Sequence, residues 1–189
     1  MTSAPKALMF TITFRGPFHI GGTPSEGLDR TVDREVPLPG TSLKGLLRAE
    51  ASERLGIDPS LVNAIFGVAA QKGSPAAWWW SDAHFETPPV VASTARIKID
   101  DATGTTSEGF LMVGEEVWSR TATFTVEPLS QQASSDHEVV IRAAARSVSS
   151  MGGDRRRGSG WVVIRDDEVW TDSDTKCLLH VMRKEEACG

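Results

Sequence analysis

The sequence lacks several features that would each assign it to a particular class of protein. It contains no run of about 18 apolar residues, so no membrane-spanning helix is expected. Its N-terminus lacks the basic-then-apolar pattern of a secretory signal. It contains only two cysteines, Cys177 and Cys188. Zinc needs about four ligands at short paired spacings, which this chain does not offer, so we expect no structural zinc and a reduced, cytoplasmic setting.

An excess of basic charge is also missing. The net charge of −5 and the isoelectric point near 5.4 argue against binding to nucleic acid, because phosphate binding usually leaves a basic footprint. This argument weakens if the basic residues converge on one groove. The candidates for such a groove are Arg30, Arg34, Lys44, Arg48, Arg155, Arg156 and Arg157.

The spacing of apolar residues predicts an α+β protein. The length of 189 residues suits a single domain, residues 1–189, and neither an internal repeat nor a low-complexity linker occurs. The predicted elements are a strand over 7–14, a helix over about 42–55, a short helix capped by Asp58 and ending at Gly67, a strand from Trp78, a short strand over 94–100, a strand from Trp118 to Val126 with Trp118 and Phe124 on one face, a helix capped by Asp136, and a strand from Trp161. This order is the ferredoxin-like βαββαβ plan with loop and β-hairpin insertions. Residues 184–186 would form a solvated end.

A loop over residues 21–36 is rich in glycine, proline and charge, so we expect it to be long and mobile. It contains the carboxylates of Asp29, Asp33 and Glu35. Clustered loop carboxylates are usually just solvated, although a hard divalent cation such as Mg²⁺ prefers oxygen ligands of this kind. From the residues alone, both interpretations stay open.

Two further stretches have the composition of a phosphate-binding surface. Residues 37–48 predict a turn at Gly40 and a helix entry capped by Thr41 or Ser42, with free N–H groups beside Lys44 and Arg48. The same pattern also fits an amphipathic helix whose basic residues face water. Residues 152–160 combine glycines, which let a ligand approach the backbone, with three arginines, which suit phosphate oxygens.

Four stretches, taken in order, resemble a known family. They are residues 18–22, 27–29, 39–45 and 152–160, with sequences FHIGG, GLD, PGTSLKG and GGDRRRGSG. Together they resemble the RAMP superfamily, the repeat-associated mysterious proteins, and in particular the Cas-seven-like backbone subunits of type III CRISPR effector complexes of the Csm and Cmr kinds.

The resemblance implies a function and a set of site residues. Backbone subunits of this kind assemble as copies in a filament along a CRISPR guide RNA, together with other type III Cas subunits. Complementary target RNA is cleaved with Mg²⁺ or another divalent cation, and Asp29 occupies the position of the catalytic, metal-binding acidic residue. The RNA-binding residues would be His19, Lys44, Arg48, Gly152, Gly153, Arg155, Arg156, Arg157, Gly158 and Gly160. A thumb hairpin over about 100–117 would wedge into the guide–target duplex.

Three functions remain open at this stage, so whether the chain is an enzyme is undecided. The first is a guide-RNA-binding subunit that cleaves target RNA at Asp29. The second is the same scaffold without catalysis. The third is a metal-independent ribonuclease that processes repeat RNA and uses His19 for acid–base chemistry. Without the resemblance, a lone histidine beside apolar neighbours is more often structural than chemical.

Overall fold

The computed structural model describes residues 5–22, 27–68, 75–99, 104–153 and 158–183. One sheet has four antiparallel strands in the order β2–β5–β1–β6, and a separate hairpin pairs β3 with β4. The strands are β1 (Leu8–Phe14), β2 (Trp78–Trp80), β3 (Val90–Ile99), β4 (Thr106–Trp118), β5 (Thr121–Pro128) and β6 (Val162–Asp166).

The central strand β1 shows why the sheet has one buried face. Its residues alternate strictly between buried and exposed, and the four inward apolar side chains are those that the sequence predicts. Phe10 stacks on Phe124 of β5 with ring centroids 4.9 Å apart. The three consecutive tryptophans of β2 follow the same alternation, because Trp78 and Trp80 are buried whereas Trp79 is 47% exposed.

Helices cover the buried face of the sheet. They are α1 (Gly40–Ala49), which continues into a π-helical turn (Glu50–Arg54), then α2 (Pro59–Phe66), α3 (Ser135–Ser147) and α4 (Asp172–Arg183). As predicted, Asp58 caps α2 and Gly67 ends it. The cap of α3 is Ser134, whose hydroxyl accepts the N–H of His137, and not the predicted Asp136.

The core elements β1, α1, β2, β5, α3 and β6 have the connectivity and strand order of the split βαβ plan. The predicted ferredoxin-like α+β fold is therefore confirmed. The hairpin β3–β4 is inserted between the second and third strands of this core, and α4 is added after the last strand.

The hairpin begins earlier than predicted and ends where predicted. We predicted a projection over about 100–117, but the first arm begins at Val90, so the strand predicted over 94–100 belongs to the hairpin. The strand predicted from Trp118 to Val126 is also wrong as a single element. The chain leaves β4 at Trp118 and enters β5 at Thr121, so Trp118 is exposed and does not share the inward face of Phe124.

The start of α1 is shaped by a close approach to the end of β2. The N–H of Gly40 donates to the Asp82 carboxylate at 2.7 Å, so neither predicted hydroxyl caps the helix. A Cβ atom on Gly40 would lie 2.5 Å from the carbonyl oxygen of Trp80. The helix start was expected to offer free N–H groups to a ligand. The N–H of Gly40 is not free, because it is buried and donates to the Asp82 carboxylate.

The segment after β6 forms α4, which the sequence analysis did not predict. The solvated end predicted at residues 184–186 lies outside the described residues. Arg142 on α3 contacts Asp166 on β6 and donates to Asp174 on α4 at 2.7 Å. The guanidinium carbons of Arg142 and Arg146 lie 5.4 and 5.5 Å from the ring centroid of Trp170. The ion pair attaches α4 to α3, and the ring of Trp170 attaches the segment that precedes α4. Val181 of α4 adds an apolar contact with the core.

Two glycines of α1 permit a matched test of this packing. Gly40→Ala should lower the free energy of unfolding by about 1–3 kcal/mol, because its methyl group would collide with backbone atoms of Trp80 and Ser81. Gly45→Ala should raise it by about 0.5–1 kcal/mol, because nothing lies within 4 Å of the new Cβ and alanine favours the helix. Denaturant unfolding measures both. Equal effects of the two substitutions would contradict this packing.

Candidate nucleic-acid interface

The loop that contains Asp29 is hydrogen-bonded to the strand β4. The N–H of Asp29 donates to the carbonyl of Val113 at 2.8 Å, and the N–H of Val113 donates to the Asp29 carboxylate at 2.7 Å. The N–H of Glu115 donates to the carbonyl of Arg30 at 2.9 Å. At the other end, the N–H of Gly22 donates to Thr31 at 2.8 Å. The described part of the loop expected to be mobile is therefore held by residues 113–118 of β4, which we call the root of the hairpin.

A buried carboxylate, Glu115, completes this attachment. Glu115 is 6% exposed and accepts hydrogen bonds from the N–H of Val32 and the guanidinium of Arg34. The Val32 N–H, and then Arg34, hold the pKa of the Glu115 carboxyl below its usual range, although burial acts in the opposite direction. Sequence analysis missed Glu115. The signal for it was a pair of carboxylates inside a strand, at positions 115 and 116.

The glycine-rich segment, residues 152–160, is hydrogen-bonded near both of its ends to residues 17–19. The N–H of Gly153 donates to the carbonyl of His19 at 3.0 Å, and that of Gly160 donates to the carbonyl of Pro17 at 2.7 Å. Gly152 and Gly160 have positive φ values, and a Cβ on either would lie 2.2 Å or less from a backbone oxygen. These glycines thus permit contact between chain segments. Arg155, Arg156 and Arg157 lie outside the described residues.

His19 lies inside this junction. It is 9% exposed, and its Nε2 atom lies 3.0 Å from the carbonyl oxygen of Thr31. The ring of His19 contacts the Asp29 loop, and the carbonyl of His19 accepts the N–H of Gly153. His19 therefore links this loop to the glycine-rich segment, residues 152–160. Arg30 also lies here, because its Nη2 atom is 3.0 Å from the position that a Cβ on Gly153 would take. The predicted contact of His19 with RNA stays a prediction.

Lys44 and Arg48 lie in a separate cleft of about 630 Å³, on the exposed face of α1. Gly45, Gly67 and Pro75 also line it. The guanidinium of Arg48 donates to the carbonyl of Gly67 and, at 2.7 Å, to the side chain of Asn63. Arg48 therefore stabilises the end of α2. The two predicted basic residues do share one surface, and their contact with RNA stays a prediction.

Asp29 and Asp33 have different environments. Both are exposed, but the carboxylate of Asp33 accepts the N–H groups of Glu35 and Val36 at 2.9 Å, which makes it part of a local turn. Asp29 instead lies beside the hairpin. No group of three or more histidine, cysteine, aspartate or glutamate side chains suited to a metal occurs among the described residues. Within the described ranges Asp29 therefore offers a Mg²⁺ ion one carboxylate, and the remaining oxygen ligands would have to come from elsewhere.

The structure thus brings three of the four predicted stretches together at the hairpin root. These are residues 18–22, residues 27–29, and the described ends of 152–160. The fourth stretch, at the start of α1, packs against β2 and forms the cleft that contains Lys44. The core and its inserted hairpin therefore define an α+β protein of ferredoxin-like topology with a loop-and-hairpin junction.

The comparisons with known proteins agree with this class. A sequence model of the RAMP superfamily matches residues 11–163, so the chain belongs to the RAMP superfamily. A chain in a cryo-EM structure of the type III-B Cmr-beta complex bound to cognate target RNA is 13% identical, with a TM-score of 0.65. A chain in the apo state of Cmr-beta is also 13% identical, with a TM-score of 0.66. Both matches cover 86% of this chain and 98% of the other.

A search of curated protein sequences gives no match. Among the described helices, none combines the length and the apolar character that crossing a membrane requires.

The attachment by Glu115 predicts a dependence of stability on pH. Because the pKa of Glu115 is lowered in the folded state, its stabilisation is present above the usual glutamate pKa of about 4.3 and disappears as the pH falls through the folded value. Glu115→Gln should lower the free energy of unfolding by about 1–2 kcal/mol at neutral pH. The difference from wild type should shrink below about pH 4. Denaturant unfolding across this range measures it, and a constant difference would contradict the attachment.

Proposed function

We propose that this chain is an RNA-binding backbone subunit of a type III CRISPR effector complex. The observation that carries the proposal is the junction at the hairpin root, where the Asp29 loop, the inserted hairpin and the glycine-rich segment are bonded together. Membership of the RAMP superfamily supports it, and so does the similarity of fold to chains of the Cmr-beta complex. The partners would be guide RNA, complementary target RNA, other type III Cas subunits and further copies of this chain.

The guide RNA would contact two basic surfaces. The first is the cleft on α1, which Lys44 lines and where Gly45 leaves room for a close approach. A glycine inside a helix costs stability relative to alanine, and no internal contact requires Gly45. A ligand that passes over this position would account for it. The second surface is the segment with Arg155, Arg156 and Arg157, whose ends are fixed at the junction.

Cleavage of the target RNA is the finer part of the proposal. The carboxylate of Asp29 lies at the root of the hairpin and is held there by Val113. A divalent cation bound there would neutralise charge on the scissile phosphate. Asp29 would supply one ligand and fix its position, while the hairpin of a neighbouring copy would displace the base at that point. Most of the rate acceleration would come from positioning the 2′-hydroxyl of the target RNA for in-line attack on the scissile phosphate.

A scaffold without catalysis is the main alternative, because one carboxylate is a sparse metal site. The metal-independent ribonuclease has less support. His19, its proposed acid–base group, is buried and its Nε2 atom already contacts the carbonyl of Thr31. A general base must reach the proton that it removes, within about 3 Å or through one water.

Purification of the tagged protein from its native host tests the proposal. We expect discrete short RNA and companion subunits to co-purify. Lys44→Ala should weaken RNA binding and reduce the slope of log affinity against log salt concentration by about one unit, because one phosphate contact is lost. The triple change of Arg155, Arg156 and Arg157 to Ala should reduce the slope further.

Arg54→Ala is the matched control for these variants. Arg54 follows α1, is 59% exposed and pairs with Glu50 outside the cleft, so its removal should leave the slope unchanged. RNA affinity that is the same in wild type and the Lys44 variant at every salt concentration would contradict the assignment of the cleft.

Asp29→Ala should abolish metal-dependent cleavage of complementary RNA while guide and target binding stay nearly unchanged. The measurement is cleavage by the purified complex with Mg²⁺ and with EDTA. Asp33→Ala is the control, because Asp33 caps a local turn and should affect stability more than cleavage. Cleavage by the Asp29 variant at the wild-type rate would contradict the assignment. If wild type does not cleave, the scaffold without catalysis replaces this part of the proposal.

A further inference from the structure

A second cavity, of about 430 Å³, opens at the root of the hairpin where β4 passes to β5. Its apolar wall consists of Pro88, Val90 and Trp118, and its polar side carries Arg120 and three hydroxyl-bearing side chains. Lys44 and Arg48 do not line it, so it is separate from the cleft on α1. Its size is within the range of small-molecule sites and exceeds that of a single base.

The exposed tryptophan is the main feature of this cavity. Trp118 is the last residue of β4, and 49% of its surface is exposed, whereas its neighbour Val117 is fully buried. Its cross-strand partner Val90 is 64% exposed. An indole and an isopropyl group therefore lie side by side with about half or more of their surfaces exposed to solvent.

The backbone beneath this surface is fixed. The N–H of Phe14, at the end of the central strand, donates to the carbonyl of Arg120 at 2.9 Å. The hydroxyl of Ser119 donates to the carbonyl of Thr121 at 3.2 Å. Hydrogen bonds therefore hold the backbone of the short connection that carries Trp118 and Arg120.

The charge of the cavity indicates the kind of ligand. Arg120 is exposed, and none of the carboxylates in the described part of the chain forms an ion pair with it. The residues that line the cavity include no acidic side chain. An aromatic face beside an uncompensated guanidinium suits a ligand with a flat ring and a negative charge, and a nucleotide has both.

We propose that this cavity binds one unpaired nucleotide of RNA, with its base stacked on Trp118 and its phosphate held by Arg120. The inference rests on the proposed RNA-binding function and adds a site to it. The base must be unpaired and unstacked from one neighbour, because the indole needs one of its faces. Stacking is possible for all four bases, and the lining offers no buried donor or acceptor to distinguish them, so the site should show little sequence preference.

The test measures binding of a single-stranded oligouridylate of about ten nucleotides to the purified chain and to the complex. Trp118→Ala should weaken binding by about 5- to 150-fold, the range for loss of one stacked base. Trp118→Phe should retain most of the affinity. Arg120→Ala should reduce the salt dependence by about one unit, and Arg120→Lys should restore it. A duplex of the same length should be insensitive to Trp118→Ala.

Trp79→Ala is the matched control, because Trp79 is similarly exposed, at 47%, on the edge strand β2. Photo-crosslinking of RNA containing 4-thiouridine, followed by mass spectrometry, provides a positional readout, and the crosslink should map to Trp118. Thermal unfolding of each variant identifies any that have failed to fold. Trp118→Phe keeps the test valid if the alanine variant is unstable.

Three results would overturn the proposal. Equal RNA affinity of the Trp118→Ala and Trp79→Ala variants, with no crosslink at Trp118, would remove the site but leave the proposed function in place. Loss of subunit assembly in the Trp118 variant, with unchanged RNA affinity, would assign the cavity to a protein partner. Failure of the wild-type chain and complex to bind any RNA would overturn the site and the proposed function together.

Discussion

Hydrogen bonding along both edges of β4 is the constraint on which the candidate site depends. One edge pairs with β3 to form the hairpin, and the other bonds to Phe18 and to the Asp29 loop. The Glu115 carboxylate adds a second connection to the same loop, from inside the protein. A buried carboxylate is costly unless it is hydrogen-bonded and paired, and here both conditions are met. The loop, the hairpin and the glycine-rich segment therefore have a common support rather than three independent ones.

The positions of the charged groups make an acidic chain compatible with the proposed RNA-binding function. Several carboxylates are consumed internally: Asp82 caps α1, Glu115 holds Arg34, and Asp166 holds Arg142. Lys44 and Arg120 remain at the surfaces that form the two cavities. The net charge of −5 is therefore a poor guide to the electrostatic potential at these two cavities. Asp82 also offsets the positive end of α1, so binding in the cleft would depend on side chains more than on the helix dipole.

Local patterns in the sequence account for the core but not for the junction. The alternation in β1, the Asp58 cap and the apolar face of α3 depend on neighbouring residues, so they could be predicted. The Asp82 cap joins residues 42 positions apart, and the Glu115 contact with Val32 joins residues 83 positions apart. No periodicity encodes such contacts. The hairpin was placed about ten residues late, because the polar connection before β4 is a stronger local signal than the start of β3.

The added helix α4 was missed for a related reason, since its short apolar set becomes meaningful only where α3 offers a surface for it. The hydrogen bonds of β4 also connect the length of the hairpin to the position of Asp29. From Val113 to the start of β4 the strand extends about 20 Å, and Val113 bonds Asp29 through both its N–H and its carbonyl. These two bonds tie the position of the Asp29 carboxylate to the strand that carries the hairpin. A change in the register of β4 would therefore move that carboxylate along the strand with it.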